Sequence, residues 1–358
     1  MTVALIFGGK SSEHSVSVAT ATLTFDALNS KYDVIPVYID KNGVWRKGKK
    51  NVKPTLKKLR KGKKVRLGFS SPYLYCGLKK IRIDCAFLCL HGANGEDGTV
   101  QGALKLASIP FTGCDVTASS VGMDKIFAKD VFVANKLPCI KHISITKEEY
   151  VNRQFVAKSR IRMLGYPVII KPANAGSSIG ISIAKSSKSV DRALETAFRY
   201  DNRIIVEKAL TDFREFNCAV IKSEERFYVS DIEEPYKKGE ILDYIDKYSD
   251  SGTLRERNIP AKIDKEIAEN IRELALKTFR VLNCSGVARI DFLQSSDGTL
   301  YVNEINTIPG SMAFYLFVCD PISPERLCEL LIDDALYNHK RREELSYTYQ
   351  SEIFATKS

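Results

Sequence analysis

The chain opens on an unbroken apolar run at residues 3–7, followed by Gly8-Gly9-Lys10-Ser11-Ser12-Glu13 and then by Val16, Val18 and Ala19 at helical spacing. This order predicts a strand, a glycine loop and a helix, the opening unit of an α/β domain. Further strands are predicted at 32–38 and 83–90, the second nearly all apolar, as a parallel strand covered on both faces should be. From Val116 the pattern turns helical, with Asp124-Lys125 carried on that helix, and after a polar stretch a second helix reaches Leu164. Residues 168–171 then read as a short buried strand closed by Pro172, and residues 203–206 as another, with Glu207 directly after it. Helical spacing returns over 263–282 and leads into residues 286–310, a strand, a Ser-Ser-Asp-Gly turn and a second strand ending in Asn-Thr-Ile-Pro-Gly.

That last hairpin carries the densest chemistry. Side chains two apart on a strand share a face, so Arg289, Asp291, Glu304 and Asn306 are expected together, opposite the apolar Ala288, Ile290, Phe292, Tyr301 and Ile305. With residues 295–298 as a four-residue loop, Asp291 lies opposite Val302 and Arg289 opposite Glu304. A loop of odd length would break this parity. Two acids, an amide oxygen and an arginine make a hard-oxygen site suited to Mg²⁺ with phosphate oxygens completing its shell. Taken alone, the spacing is better read as a solvated strand face with a chance ion pair.

Three other stretches suggest ligand contacts. The run Asn174-Ala175-Gly176-Ser177-Ser178-Ile179-Gly180 lies between two predicted strands, where its backbone N–H groups and hydroxyls could cover phosphates as a flap while Lys171 projects a charge. An ordinary hairpin loop is the alternative. The loops carrying Glu13 and His91 both leave the carboxyl ends of predicted strands, where the ligand crevice of an open α/β sheet lies. Glu207 and Glu215, after a strand linking two domains, suit a purine amino group and ribose hydroxyls, or are surface acids. Residues 243–254, with Lys247 and Tyr248, have no clear period and read as a long loop of the lid type.

Composition narrows the classes. The chain has 358 residues, 44% hydrophobic and 27% charged, enough for two or three domains of a soluble enzyme. No apolar run reaches the length of a membrane span, and the opening strand lacks the marks of a signal peptide, so a cytoplasmic protein is expected. The formal charge of +11 is local: residues 46–66 hold twelve Lys or Arg and no acid, while elsewhere 42 basic residues face 43 acidic ones. Without interleaved aromatics the segment reads as a solvated loop or arm, and nucleic acid is not expected as a partner.

The motifs GGKSSEHSVS, HGANGEDGTVQG, IPFTG, MDK, KPANAGSSIG, DYIDKY, ARIDF and NEINTIPG occur in this order. Together they resemble the D-alanine:D-alanine ligase family of the ATP-grasp superfamily, which includes the D-alanine:D-serine and D-alanine:D-lactate ligases of vancomycin resistance. The resemblance implies an N-terminal open parallel-sheet domain at 1–115, followed by a two-lobed ATP-grasp fold at 116–206 and 207–358. It implies a two-step ligase: ATP phosphorylates the carboxylate of D-alanine, and the amine of a second D-amino acid, D-alanine or D-serine, displaces phosphate, for peptidoglycan precursors. Two Mg²⁺ ions, with Mn²⁺ as a substitute, would be held by Asp291, Glu304 and Asn306. Lys125, Lys171, Ser177, Ser178 and Lys247 would contact ATP phosphates, and Glu207 and Glu215 adenine and ribose. Glu13, with His91 beside it, would fix the first D-alanine, and Ser177 and Tyr248 would tie the lid to that site. Arg289 and the Gly310 N–H would stabilise the oxyanion.

A tyrosine at position 248 goes with amino-acid rather than lactate acceptors in this family. The family's Thr-Ser-x-Ser run after the last glycine is replaced by Ser311-Met312-Ala313-Phe314-Tyr315. Tyr315 thus stands where a serine helps hold the acceptor carboxylate, which leaves open an ATP-grasp ligase with another amine acceptor. A polyanion binder working through residues 46–66 is the alternative from a different class. The resemblance also implies a homodimer.

Overall fold

The computed structural model describes residues 1–235 and 257–347. Thr2–Gly8 is the central strand of a five-stranded sheet, with Asp33–Ile39 and Cys85–Leu88 parallel to it on either side. Val3, Leu5 and Phe7 are wholly buried, as are Ala4 and Ile6 within 1%, because helices cover both faces. His14–Asn29 packs on this sheet, and the C-terminal helix Pro324–Glu343 adds Leu327 and Leu331 to the same core.

The basic segment is not a solvated arm. Trp45–Lys47 and Lys63–Lys64 extend the sheet antiparallel beyond Asp33–Ile39, and Arg66–Leu67 joins Tyr73–Cys76 and Lys79–Arg82 in a small second sheet. Leu59 and Val65 anchor it in the core. Its lysines line a sheet edge, where charge blocks pairing with another chain.

The middle of the chain forms a four-stranded antiparallel sheet ordered Ser182–Ala184, Val168–Pro172, Arg203–Lys208, His142–Thr146. The expected helix through Asp124 is two helices, Val116–Met123 and Lys125–Ala134. Asp124 breaks them: its carboxylate caps the second helix through the Ile126 and Phe127 N–H groups at 3.0 and 3.1 Å and also binds Arg203 at 2.7 Å. Glu207 lies inside the strand Arg203–Lys208 rather than after it.

The last sheet is five-stranded and antiparallel, ordered Arg257–Asn258, Arg226–Pro235, Phe213–Ser223, Val287–Ser295, Leu300–Asn306. Its apolar face packs Phe216, Ile290 and Phe292 against Ile271 and Phe279 of the helix Lys265–Val281. Two glycines set the close approach of this sheet to the chain at Gly113. A Cβ on Gly286, at φ +63°, would stand 2.7 Å from the Gly113 backbone. Gly286→Ala is therefore expected to cost about 1–3 kcal/mol, read as a lower denaturant midpoint at unchanged m.

The hairpin of Val287–Ser295 and Leu300–Asn306 differs from expectation in register. Ser295 N–H bonds Thr299 C=O at 3.0 Å, which leaves a three-residue turn with Gly298 at φ +86°. Phe292 accordingly faces Val302, and Val302 joins the core in place of the half-buried Tyr301. Between Asp291 and Phe292 the register shifts by one residue, so that Asn303 is the extra residue of a bulge. Beyond it Asp291 pairs with Glu304 and Arg289 with Asn306, and the expected shared face is recovered. Among the described residues, no helix is long and apolar enough to cross a membrane.

Candidate active site

The polar face of the last sheet is the floor of a cleft of about 490 Å³. Cross-strand pairing sets Glu233, Asn217, Asp291 and Glu304 side by side on four successive strands. Arg289 lies one rung away and grips Asp291 with both Nε and Nη2, at 2.7 and 2.8 Å. Asn306 Nδ2 donates to the same carboxylate at 3.0 Å. Burial alone would lower the Arg289 guanidinium, but Asp291 outweighs it and holds the group well above its ordinary value.

Loops from the rest of the chain close over this floor. Glu13 ends the first glycine loop, and its carboxylate caps nothing on its own helix. Instead Ser177, from the glycine and serine loop, donates to it. There is no room for larger residues around this acid: a Cβ on Gly92, at φ +69°, would come within 2.7 Å of Glu13 Oε2, and one on Gly176 within 3.1 Å. Lys125 Nζ donates to the Ala175 carbonyl at 2.7 Å and stands 3.9 Å from Glu304, so it reaches both the loop and the floor.

His91 is buried, with its Nε2 2.9 Å from Thr20 Oγ1, and the same hydroxyl takes the Ser311 N–H at 3.3 Å. Burial pushes its pKa down to about 4, so it is neutral at physiological pH. Gly310 starts a 3₁₀ turn in which Ser311, Met312 and Ala313 all have left-handed φ of 51–56°, a run that L residues adopt at a cost. Tyr315 at its end also lines the cleft.

A smaller pocket of about 120 Å³ adjoins the cleft between the last two sheets, walled by Ile169, Ile183, Phe213 and Leu293 together with Lys171 and Ser178. Glu215 and Glu304 line both spaces. Asn303 Oδ1, on its wall, is buried without a hydrogen-bond partner among the described residues. The Glu207 carboxylate is committed elsewhere: Lys171 holds one oxygen at 2.6 Å and Lys129 the other at 2.9 Å. Burial alone would raise Glu207, but the two ammonium groups bring it down to about 2. So engaged, the carboxylate is the centre of an ion-pair cluster on the wall of this pocket.

The structure thus gathers Glu13, His91, Lys125, Ser177, Arg289, Asp291, Glu304, Asn306, Gly310, Ser311 and Tyr315 around one cleft, and Lys171, Ser178 and Glu207 around its neighbour. Lys247 and Tyr248 lie outside the described residues. Lys129, Glu96, Asn217, Glu233 and Arg257 are additional to the expected set. Lys129 had a signal, being four residues from Lys125 on a helix face. Glu96 sits in the loop after His91, where Gly92 and Ile308 N–H groups donate to it at 2.7 and 3.1 Å. Burial and then Glu13 push it up to about 8.

Models of the D-ala D-ala ligase N-terminus and C-terminus match residues 2–114 and 131–323. The chain belongs to the D-alanine–D-alanine ligase family. The D-alanine–D-alanine ligase of Geobacillus kaustophilus is 39% identical over 98% of both chains, and that of Thermosipho africanus 37% identical over 99% of this chain and 98% of that one. Among solved structures, the D-alanine-D-alanine ligase of Coxiella burnetii matches with TM-score 0.83 at 25% identity, covering 96% of each chain. The VanG D-Ala:D-Ser ligase of Enterococcus faecalis matches with TM-score 0.81 at 32% identity, covering 94% of this chain and 99% of that one. The mixed α/β architecture expected from the motifs is the fold of this family.

Proposed function

We propose that the chain is an ATP-dependent ligase joining D-alanine to a second D-amino acid, D-alanine or D-serine, for peptidoglycan precursors in the cytoplasm. The observation that carries this reading is the convergence of Glu13, Ser177, Lys125 and the Arg289–Asp291–Glu304–Asn306 face on one cleft, beside an apolar pocket closed by Lys171.

In this reading the base of ATP lies between the two sheets on Ile169, Phe213 and Leu293, and Lys171 and Lys125 draw the phosphates towards the cleft. Asn303 Oδ1 offers that pocket an unused acceptor. Ser177 and Ser178 cover the phosphates, and Glu215 at the junction of the two spaces suits the ribose. Glu13 receives the ammonium of the first D-alanine, so that its carboxylate faces the γ-phosphorus. An oxygen of that carboxylate bonds to the γ-phosphorus as the bond to the β-phosphate oxygen breaks, giving D-alanyl phosphate and ADP. The acceptor's neutral amine then adds to the carbonyl carbon and loses a proton, and phosphate leaves. Arg289 and the Gly310 N–H stabilise the charge that gathers on the carbonyl oxygen.

Asp291, Glu304 and the Asn306 amide are hard-oxygen donors on one face, with the two acids paired across the strands, and they fit Mg²⁺. When bound there, Mg²⁺ supplies neutralisation and alignment of the phosphate oxygens. Lys247 and Tyr248 are proposed contacts from the segment beyond the described residues, and a homodimer is the proposed assembly.

The test supplies ATP, Mg²⁺ and D-alanine, alone and with D-serine, D-lactate or glycine, and reads phosphate release and product mass. The expected product is a dipeptide with a D-alanyl amino end. Absence of phosphate release with D-alanine in every pairing overturns the reading. A different amine acceptor is the second reading, favoured by Tyr315 in the cleft.

A further inference from the structure

The two ends of the cleft floor differ in charge. At one end Asp291 and Glu304 stand beside each other. At the other, Arg257 has its Cζ 4.8 Å above the Tyr315 phenol ring, and Arg289 exerts the leading charge effect on that phenol. Glu233 completes the group, 3.4 Å from Arg257 Nη1 and 3.4 Å from the Tyr315 hydroxyl. Its firmer partner is Asn217, whose Nδ2 donates to it at 2.9 Å.

The two arginines are not equally engaged. Arg289 spends its Nε and Nη2 on Asp291 in short, parallel bonds, which neutralises its charge locally. Among the described residues, Arg257 has a single long contact with Glu233, which leaves most of its fork for another anion. Stacked on a half-buried ring, that fork is already oriented, so little side-chain entropy remains to be lost when a carboxylate arrives.

Resting on the ligase reading, we propose that Arg257 binds the α-carboxylate of the acceptor amino acid, with Tyr315 as the positioning residue that holds the guanidinium flat and Glu233 as the one that sets its tilt. The acceptor must then carry a free carboxylate, and its amine is presented towards the Arg289 side, where the carbonyl of the first substrate lies. Substitution of a phenol for a small hydroxyl at position 315 is thereby matched by a cation on the neighbouring strand.

Hydroxylamine separates the two halves of the reaction, because it traps an acyl phosphate as the hydroxamate and has no carboxylate to be recognised. Arg257→Gln is expected to form D-alanine hydroxamate within about twofold of the unaltered chain, while its acceptor KM rises at least about tenfold, the order for one hydrogen bond to a charged group. Preference for D-alanine over D-alaninamide as acceptor should narrow by a similar factor. Tyr315→Phe, which keeps the ring, should move the acceptor KM less than about threefold, and Tyr315→Ala should raise it as Arg257→Gln does. An unchanged acceptor KM in Arg257→Gln with normal hydroxamate formation overturns the assignment alone. Equal loss of hydroxamate and dipeptide formation also overturns it, since Arg257 would then be supporting the fold. No hydroxamate from the unaltered chain overturns the ligase reading beneath it.

Discussion

Arg289→Ala is expected to turn over about 10²–10³-fold more slowly than the unaltered chain, the cost of removing one donor to a developing oxyanion. The guanidinium is half-buried on the sheet face and fixed by two bonds to Asp291, so its remaining N–H groups are aimed before substrate arrives. ATP binding should survive, because the walls of the neighbouring pocket are built from Ile169, Ile183, Phe213 and Leu293. Phosphate-release kinetics and nucleotide titration calorimetry together check this: kcat falls while the ATP Kd stays within about threefold. Arg289→Lys keeps the charge but cannot reproduce the fork, and is expected to recover only a small part of the loss. A variant that loses ATP binding along with turnover would reassign Arg289 to the architecture of the sheet.

Glu207→Gln carries the largest expected effect on stability, about 3–5 kcal/mol, because it leaves two buried ammonium groups without a counter-charge. Lys129 and Lys171 are 1% and 7% exposed and converge on this carboxylate from a helix and an adjacent strand. The pH dependence follows from the sign of the shift. Glu207 is brought from an ordinary 4.5 down to about 2, so its contribution is complete above pH 4.5 and is lost as the pH falls towards 2. Thermal unfolding should therefore show the unaltered chain losing its advantage over the variant across that window, with the two curves meeting near pH 2. Parallel curves over the whole range would show that the lysines are satisfied in some other way.

Much of this was legible because it is local. The apolar run at 3–7 with its glycines, the Gly-Ser loop before Ile181, and the alternation at Arg289, Asp291, Glu304 and Asn306 each follow from neighbours along the chain. The motif set then tied these pieces to one family. What escaped depends on contacts between distant segments. The lysines of 46–66 read as a solvated run because nothing nearby states that Asp33–Ile39 offers an open edge, or that Leu59 and Val65 reach the core. The ion-pair cluster around Glu207 is not legible until Lys129, 78 residues earlier, is placed against it. Glu233 and Arg257 belong to strands whose relation to Tyr315 appears only when the sheet order is known.

The turn and the bulge of the last hairpin are linked errors of phase. The three-residue turn shifts the returning strand by one position, which by itself would send Glu304 and Asn306 into the core, and Asn303 adds the second shift that brings them back. Between Asp291 and Glu304 the outgoing strand has four residues before the turn and the returning strand five after it, and the bulge at Asn303 absorbs the odd one. The chemistry of the cleft therefore depends on the match between two irregularities, and not on the regularity of the strands.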